Sequence, residues 1–153
     1  MKLATLCYIQ KDNKTLMLHR VKKENDMHQG KWNGLGGKFE PGESPEECVI
    51  REVREECGLT LRNPILKGIM TFPQFSKGED WWAFIFIARE FEGSLKESSE
   101  GDLEWIDNDK LFDLDLWDGD KIFIEWLKKK GFFSAKFIYK DGKLTKHSVV
   151  FYK

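Results

Sequence analysis

No segment of this chain approaches the ~20 consecutive apolar residues that a membrane-crossing helix needs, and Met1 to Gln10 hold no apolar run of signal-peptide length. Proline is scarce, 4 in 153 residues, and no repeat, linker or low-complexity stretch interrupts the sequence, which therefore reads as one domain over residues 1–153. The three cysteines, Cys7, Cys48 and Cys57, are odd in number and lack paired metal-ligand spacing. That excludes a disulfide scaffold and a thiolate zinc site, and leaves the reduced thiols of a cytoplasmic protein. Nor is there a charge surplus. Lys plus Arg total 25 and Asp plus Glu total 26, so duplex nucleic acid is not the expected partner. What remains is a soluble protein with no membrane attachment and no stable nucleic-acid partner, expected as a monomer.

What is present is concentrated between Gly37 and Leu59, GKFEPGESPEECVIREVREECGL. Gly36-Gly37 can bring backbone close to a ligand and take positive φ at little steric cost. Ser44 and Glu47 form a capping-box pattern, Pro45 suits the first helical position, and Gly58 suits a left-handed C-cap. Between these ends, Glu52, Glu55 and Glu56 are spaced i, i+3 and i, i+4, so their carboxylates emerge on one face within reach of a common point. Val49, Ile50, Val53 and Cys57 fall on other faces and suit burial.

Like charges one helical turn apart repel by roughly 0.2–0.5 kcal/mol per exposed pair, so something should offset this stripe. A solvated face neutralised by Arg51 and Arg54 is one reading. It leaves the glycine turn and Glu43 ahead of the helix unexplained. Hard divalent cations prefer oxygen ligands, and Mg2+ is commonly shared between carboxylates and substrate phosphates. A metal site facing a phosphorylated substrate accounts for glycines and acids together.

Elsewhere, residues 2–10 and Thr15 to Arg20 read as strands of a hairpin turning at Lys11 to Lys14, followed by a polar, flexible loop over 21–31. Ile65 to Phe72 and Trp82 to Arg89 read as strands separated by a loop holding Pro73 and Gly78, and Leu103 to Ile106 as another. Residues 120–130 pattern as an amphipathic helix opened by Asp120 and closed by Gly131. Asp141-Gly142 marks a closing hairpin. Trp82, Trp105 and Trp126 sit on apolar stripes and suit burial. The class is α+β, with two main helices packed on sheet.

The segment resembles the Nudix signature at every defined position: Gly37, Glu43, Arg51, Glu52, Val53, Glu55, Glu56, Gly58 and Leu59. The resemblance implies the α/β/α sandwich of that fold around a mixed central sheet, and hydrolysis of a phosphoanhydride bond with Mg2+, for which Mn2+ is a substitute. It implies metal ligands at Glu52, Glu55 and Glu56, with the Gly36 carbonyl and Glu100 as outlying ligands; Glu100 could instead be an exposed loop acid. Glu52 is the first choice for the base acting on water, directly or as an orienting ligand, with Glu43 or Glu100 as alternatives. Arg51 is assigned to orienting Glu43 or Glu52.

The stretch from Lys31 to Lys38, KWNGLGGK, and Trp117 followed by Asp120 are similar to the MutT/MutX branch, which hydrolyses oxidised purine nucleoside triphosphates. That similarity implies 8-oxo-dGTP as substrate, with monophosphate and pyrophosphate as products, and a role in nucleotide-pool sanitation. It places the purine on Trp117, with Asn33 and Asp120 reading its edge; N-capping is the competing role of Asp120. Where that branch carries two adjacent aspartates, this chain has Gly119 first, which implies weaker handling of adenine-derived substrates. Arg20 and Lys38 are candidate phosphate or ribose contacts. Met27 or His28 could touch substrate from the 21–31 loop, His28 being expected simply exposed. Other Nudix substrates, ADP-ribose, dinucleoside polyphosphates, coenzyme A or an RNA 5′ end, compete with this reading. No tyrosine lies between Leu59 and Phe91, and Pro73 alone is thin support for an ADP-ribose enzyme. A non-catalytic nucleotide sensor is a further alternative, against which the full set of acids argues.

Overall fold

An apolar run near the N-terminus, Leu3 to Ile9 broken only by Thr5, forms β1 (Lys2–Lys11), which turns back through Asp12 and Asn13, both at positive φ, into β2 (Lys14–His19). The computed structural model describes residues 1–23, 26 and 28–153; Met27 and its expected substrate contact lie outside the described residues. Next come β3 (Trp32–Asn33) and the helix α1 (Pro45–Cys57). The capping box forms as the sequence predicts: Glu47 N–H donates to Ser44 Oγ at 3.1 Å, and Ser44 N–H donates to Glu47 Oε1 at 2.9 Å. Gly58 ends the helix at φ 85°, its N–H donating to Arg54 O.

After α1 the chain forms β4 (Thr60–Arg62), β5 (Ile65–Ser76), β6 (Glu79–Ala88), β7 (Glu90–Glu92) and β8 (Asp102–Asp107). A 3-10 turn over Asn108–Asp113 leads to α2 (Asp118–Phe123), a second 3-10 turn over Ile124–Lys128, and the hairpin β9 (Phe132–Lys140) and β10 (Lys143–Tyr152). Among the described residues, one mixed sheet runs β10-β9-β5-β6-β1-β2-β3, with β8 also paired to β2. Its parallel pairs are β1 with β6 and β5 with β9. β4 and β7 make a separate two-stranded ribbon.

The sheet separates two cores. On one side Val49, Val53 and Cys57 of α1 pack on Cys7, Ile9 and Phe86; on the other, Phe123, Ile124 and Leu127 pack on Tyr8, Phe133 and Phe137. β1 feeds both, because alternate residues of a strand face opposite ways. Cys7 and Ile9 go to the α1 side and Tyr8 to the other. This is the α+β sandwich expected.

Four expectations change. Pro73 lies within β5, not in a loop, because the ladder is bulged between Phe72 and Ser76, where a residue without an N–H is tolerated. The second helix begins at Asp118 with Trp117 as N-cap, so Asp120 is not its cap; it stands in the first turn. That helix also yields to 3-10 geometry at Ile124 instead of running to residue 130. Trp82 is 37% exposed, because its pairing partner on β1 is Leu3, at a sheet end beyond the core and itself 42% exposed.

Candidate active site

The segment joining β3 to α1 lies along β1, with Cys7 and Leu35 exchanging backbone hydrogen bonds and Thr5 N–H donating to Gly37 O at 2.8 Å. The two glycines permit that approach. A Cβ on Gly36 would strike the Thr5 carbonyl, and one on Gly37 would strike the Glu52 carboxylate. The glycine turn is thereby pressed against the acidic face of α1.

Arg51 organises that face. Its Nε donates to Glu43 Oε2 at 2.6 Å and its Nη2 to Glu43 Oε1 at 2.9 Å, a two-pronged pair. Nη1 donates to Glu52 at 2.9 Å and Glu55 at 3.2 Å, and Nη2 also to Lys38 O at 3.0 Å. The guanidinium holds the Glu43 carboxyl down at about 2. Glu52 moves the other way, raised by burial against the pull of Arg51. Glu56 accepts from Gly36 N–H at 3.0 Å, and its carboxyl is pushed well above the usual range by burial and then by Glu100 beside it.

The three glutamates thus share a face without converging. Arg51 draws Glu52 and Glu55 one way and the Gly36 amide draws Glu56 another; among the described residues no three acidic, histidine or cysteine side chains form a ready metal cluster. The donor set still suits a hard divalent ion. It is all oxygen, and Glu56 and Glu100 form a half-buried acid pair whose repulsion a cation would remove.

A second region lies around Trp117. Its indole N–H donates to His28 Nδ1 at 2.8 Å, Lys31 Nζ stands 5.6 Å from its ring centre, and Phe75 and Tyr139 meet it edge-on at 5.7 and 5.6 Å. Phe75, Trp117 and Tyr139 line a cavity of about 950 Å³ at the tip of the β9–β10 hairpin. Asn33 and Asp120 are not among its lining residues. Asn33 is buried and its Nδ2 has no partner among the described residues; Tyr8 Oη is likewise buried and without a partner among them. Asp120 keeps partial exposure, yet burial pushes its carboxyl up to about 7 against the pull of Lys31. The space beside Gly119 is taken by a side chain of the sheet it packs on: its N–H donates to Tyr139 Oη at 2.7 Å, and a Cβ there would lie 2.6 Å from that oxygen.

Of the two candidate cations, Arg20 is committed to Asp26 through Nε at 2.9 Å and Nη2 at 2.8 Å, with Glu100 at 3.8 Å. Lys38 places Nζ 5.4 Å from the Trp81 ring centre. His28 is half-buried on Trp117 and not simply exposed. Phe75 and Tyr139 enter the cleft from distant points of the chain, and no local sequence signal marks them; His28, a candidate substrate contact from the sequence, stands against Trp117.

A NUDIX domain model matches residues 1–127. An uncharacterized Nudix hydrolase of Bacillus subtilis is 36% identical over 141 residues, 88% of this chain and 85% of that one. An oxidized purine nucleoside triphosphate hydrolase of Danio rerio is 34% identical over 132 residues, covering 86% and 83%. The crystal structure of a mutator MutT protein from Bacillus halodurans superposes with a TM-score of 0.86 at 35% identity, over 97% of each chain.

Proposed function

The chain belongs to the Nudix hydrolases, and from that premise we propose that it is a Mg2+-dependent pyrophosphohydrolase of oxidised purine nucleoside triphosphates, 8-oxo-dGTP foremost. The observation that carries the choice of substrate is the presence in one fold of an acidic helix edge, an aromatic cleft and a buried Asn33 amide nitrogen that has no partner among the described residues. Asn33 and Gly37 lie four residues apart on one connecting segment, which spans at most about 14 Å when extended. A base read by Asn33 and phosphates at the acidic edge can therefore belong to one nucleotide.

Glu52, Glu55 and Glu56, with the Gly36 carbonyl and Glu100, are the proposed ligands of Mg2+. Bound there, the ion would neutralise phosphate charge and make its water acidic enough to yield a nucleophile near neutral pH. Glu52 is the proposed proton acceptor, held by Arg51 and raised by burial toward the range a base needs. Arg51 also fixes Glu43 and so sets the glycine turn against α1. Lys38 is a proposed phosphate or ribose contact, and Arg20 another, which would first release Asp26. Trp117 offers its indole to the purine, and Asn33 offers one donor and one acceptor to the base edge. Asp120, poised near 7, can donate when protonated and accept when ionised, which suits a guanine-type edge carrying both kinds of group. Nucleoside monophosphate and pyrophosphate leave as products, and the proposed setting is a cytoplasmic nucleotide pool.

Side-by-side kcat/KM values for 8-oxo-dGTP, dGTP, ADP-ribose and diadenosine tetraphosphate, with and without Mg2+, test the reading. Highest efficiency on 8-oxo-dGTP with pyrophosphate release supports it. Preference for ADP-ribose or the dinucleotide would replace the substrate, and binding without turnover would make the protein a sensor.

A further inference from the structure

Trp117 is the N-cap residue ahead of α2 and makes no side-chain cap to that helix, so its indole has to be held from outside. The 28–31 turn does this. His28 Nδ1 accepts the indole N–H at 2.8 Å, the imidazole stands edge-on to the indole at 5.5 Å and 81°, and Lys31, whose N–H donates to His28 O, brings its ammonium to 5.6 Å from the ring centre. Indole nitrogen can only donate. Nδ1 must therefore be free of a proton, with the imidazole neutral and its hydrogen on Nε2. Burial, and then the charge of Arg20, lowers the His28 pKa and favours that form.

The turn is anchored in its own right. His28 N–H donates to Asp26 Oδ1 at 3.1 Å, and Asp26 takes both prongs of Arg20, which faces Glu100 at 3.8 Å. Gly30 N–H donates to Arg20 O and Arg20 N–H to Lys31 O, closing the segment onto the end of β2.

We propose that His28 is a positioning residue for purine binding: its unprotonated Nδ1 fixes the orientation of the Trp117 indole, so that the ring is already set when a base arrives. This rests on the reading of Trp117 as the purine shelf. A hydrogen bond that orders the ring in the free protein removes an ordering cost from binding, and so acts on KM more than on kcat.

The geometry gives a discriminating pair of variants. Asparagine carries its side-chain oxygen close to where histidine carries Nδ1, whereas glutamine mimics Nε2. In full-length protein, the Trp117 indole N–H resonance, assigned by its loss in Trp117→Phe, reads the contact without any substrate. It is expected to move on His28→Ala and His28→Gln and to stay near its native position in His28→Asn. With Mg2+ and 8-oxo-dGTP, His28→Ala and His28→Gln are expected to raise KM about three- to tenfold with kcat within about twofold, and His28→Asn to restore most of the loss. An indole resonance unmoved by His28→Ala, or an unchanged KM despite a moved resonance, would overturn the assignment. So would a His28→Gln variant equal to His28→Asn. If the native protein hydrolysed no purine triphosphate, the positioning role would fall with the proposed function. A resonance that still distinguished His28→Asn from His28→Gln would then place the error in the substrate and not in the contact.

Discussion

The two halves of the site are built on opposite plans. The acidic edge comes from 23 neighbouring residues and is dense in charge, each carboxylate already answered by Arg51 or a backbone amide. The cleft around Trp117 is gathered from β5, the start of α2 and the β9–β10 hairpin, with the 28–31 turn holding the indole, and Phe75, Trp117 and Tyr139 give it its rings; outside that lining, the buried Asn33 Nδ2 and Tyr8 Oη have no partner among the described residues. Pre-paired charge suits a place where a cation must be accepted and phosphates exchanged. Unpaired amide and hydroxyl groups in an apolar setting suit a place where a wrong partner costs more than a right one gains. In the proposed reading, damage to the first region should therefore appear in kcat and damage to the second in KM and selectivity.

The largest effect that could break this division is at Glu56. Glu56→Gln is expected to lower Mg2+-dependent kcat by about a thousandfold or more while circular dichroism stays native, since several kcal/mol of charge stabilisation depend on the bound ion. Retained turnover would remove the metal assignment. Chelation by EDTA should reproduce the loss in the native protein and be reversed by added Mg2+. Next in size, Arg51→Lys keeps the charge and loses the two-pronged grip on Glu43; kcat should drop by about ten- to a hundredfold. An unchanged kcat would show that the Glu43–Arg51–Glu52 arrangement serves the fold alone.

On the other side of the comparison, Asn33→Ala should raise KM for 8-oxo-dGTP by about three- to tenfold, and by less for dGTP. Equal increases would deny Asn33 a part in reading the lesion. The smallest effect concerns stability. The carboxyl of Asp120 is raised to about 7 by burial, so its contribution to folding is fully present below the ordinary aspartate range and lost as pH rises through 7. Asp120→Asn has no such titration. Its Tm relative to the native protein should climb by roughly 5 °C between pH 5 and pH 8. A constant difference would mean the carboxyl is ionised throughout.

The same contrast explains what could be read in advance. The helix α1 was legible because its start and stop are written in adjacent residues: a serine and a glutamate three apart, a proline between them and a glycine at the end. Asp141-Gly142 announces the last hairpin for the same local reason. Strands β4 and β7 are three residues each, too short to show a period, and β5 continues through Pro73 because a bulge absorbs the missing N–H. The start of α2 was misplaced because Trp117 caps by backbone geometry, leaving Asp120, an apt capping residue, inside the first turn. Among site residues, the acidic stripe was visible as spacing, but not its division between Arg51 and the Gly36 amide, which depends on how the glycine turn meets the helix. His28 and Trp117 are 89 residues apart, and the Gly119–Tyr139 contact joins α2 to β9. Only the assembled sheet brings such pairs together.

The alternation of β1 carries a consequence for how this chain can change length. Thr5 sends its hydroxyl to Gly37 O at 3.4 Å and to within 3.5 Å of Cys48 Sγ on α1 from one surface of the strand, while Tyr8 underlies the aromatic side from the other. Inserting or deleting a single amino acid between them would exchange the surfaces of everything beyond it, and both halves of the site would lose their backing at once. The turn at Asp12 and Asn13, exposed and already at positive φ, is where the same indel would do least harm.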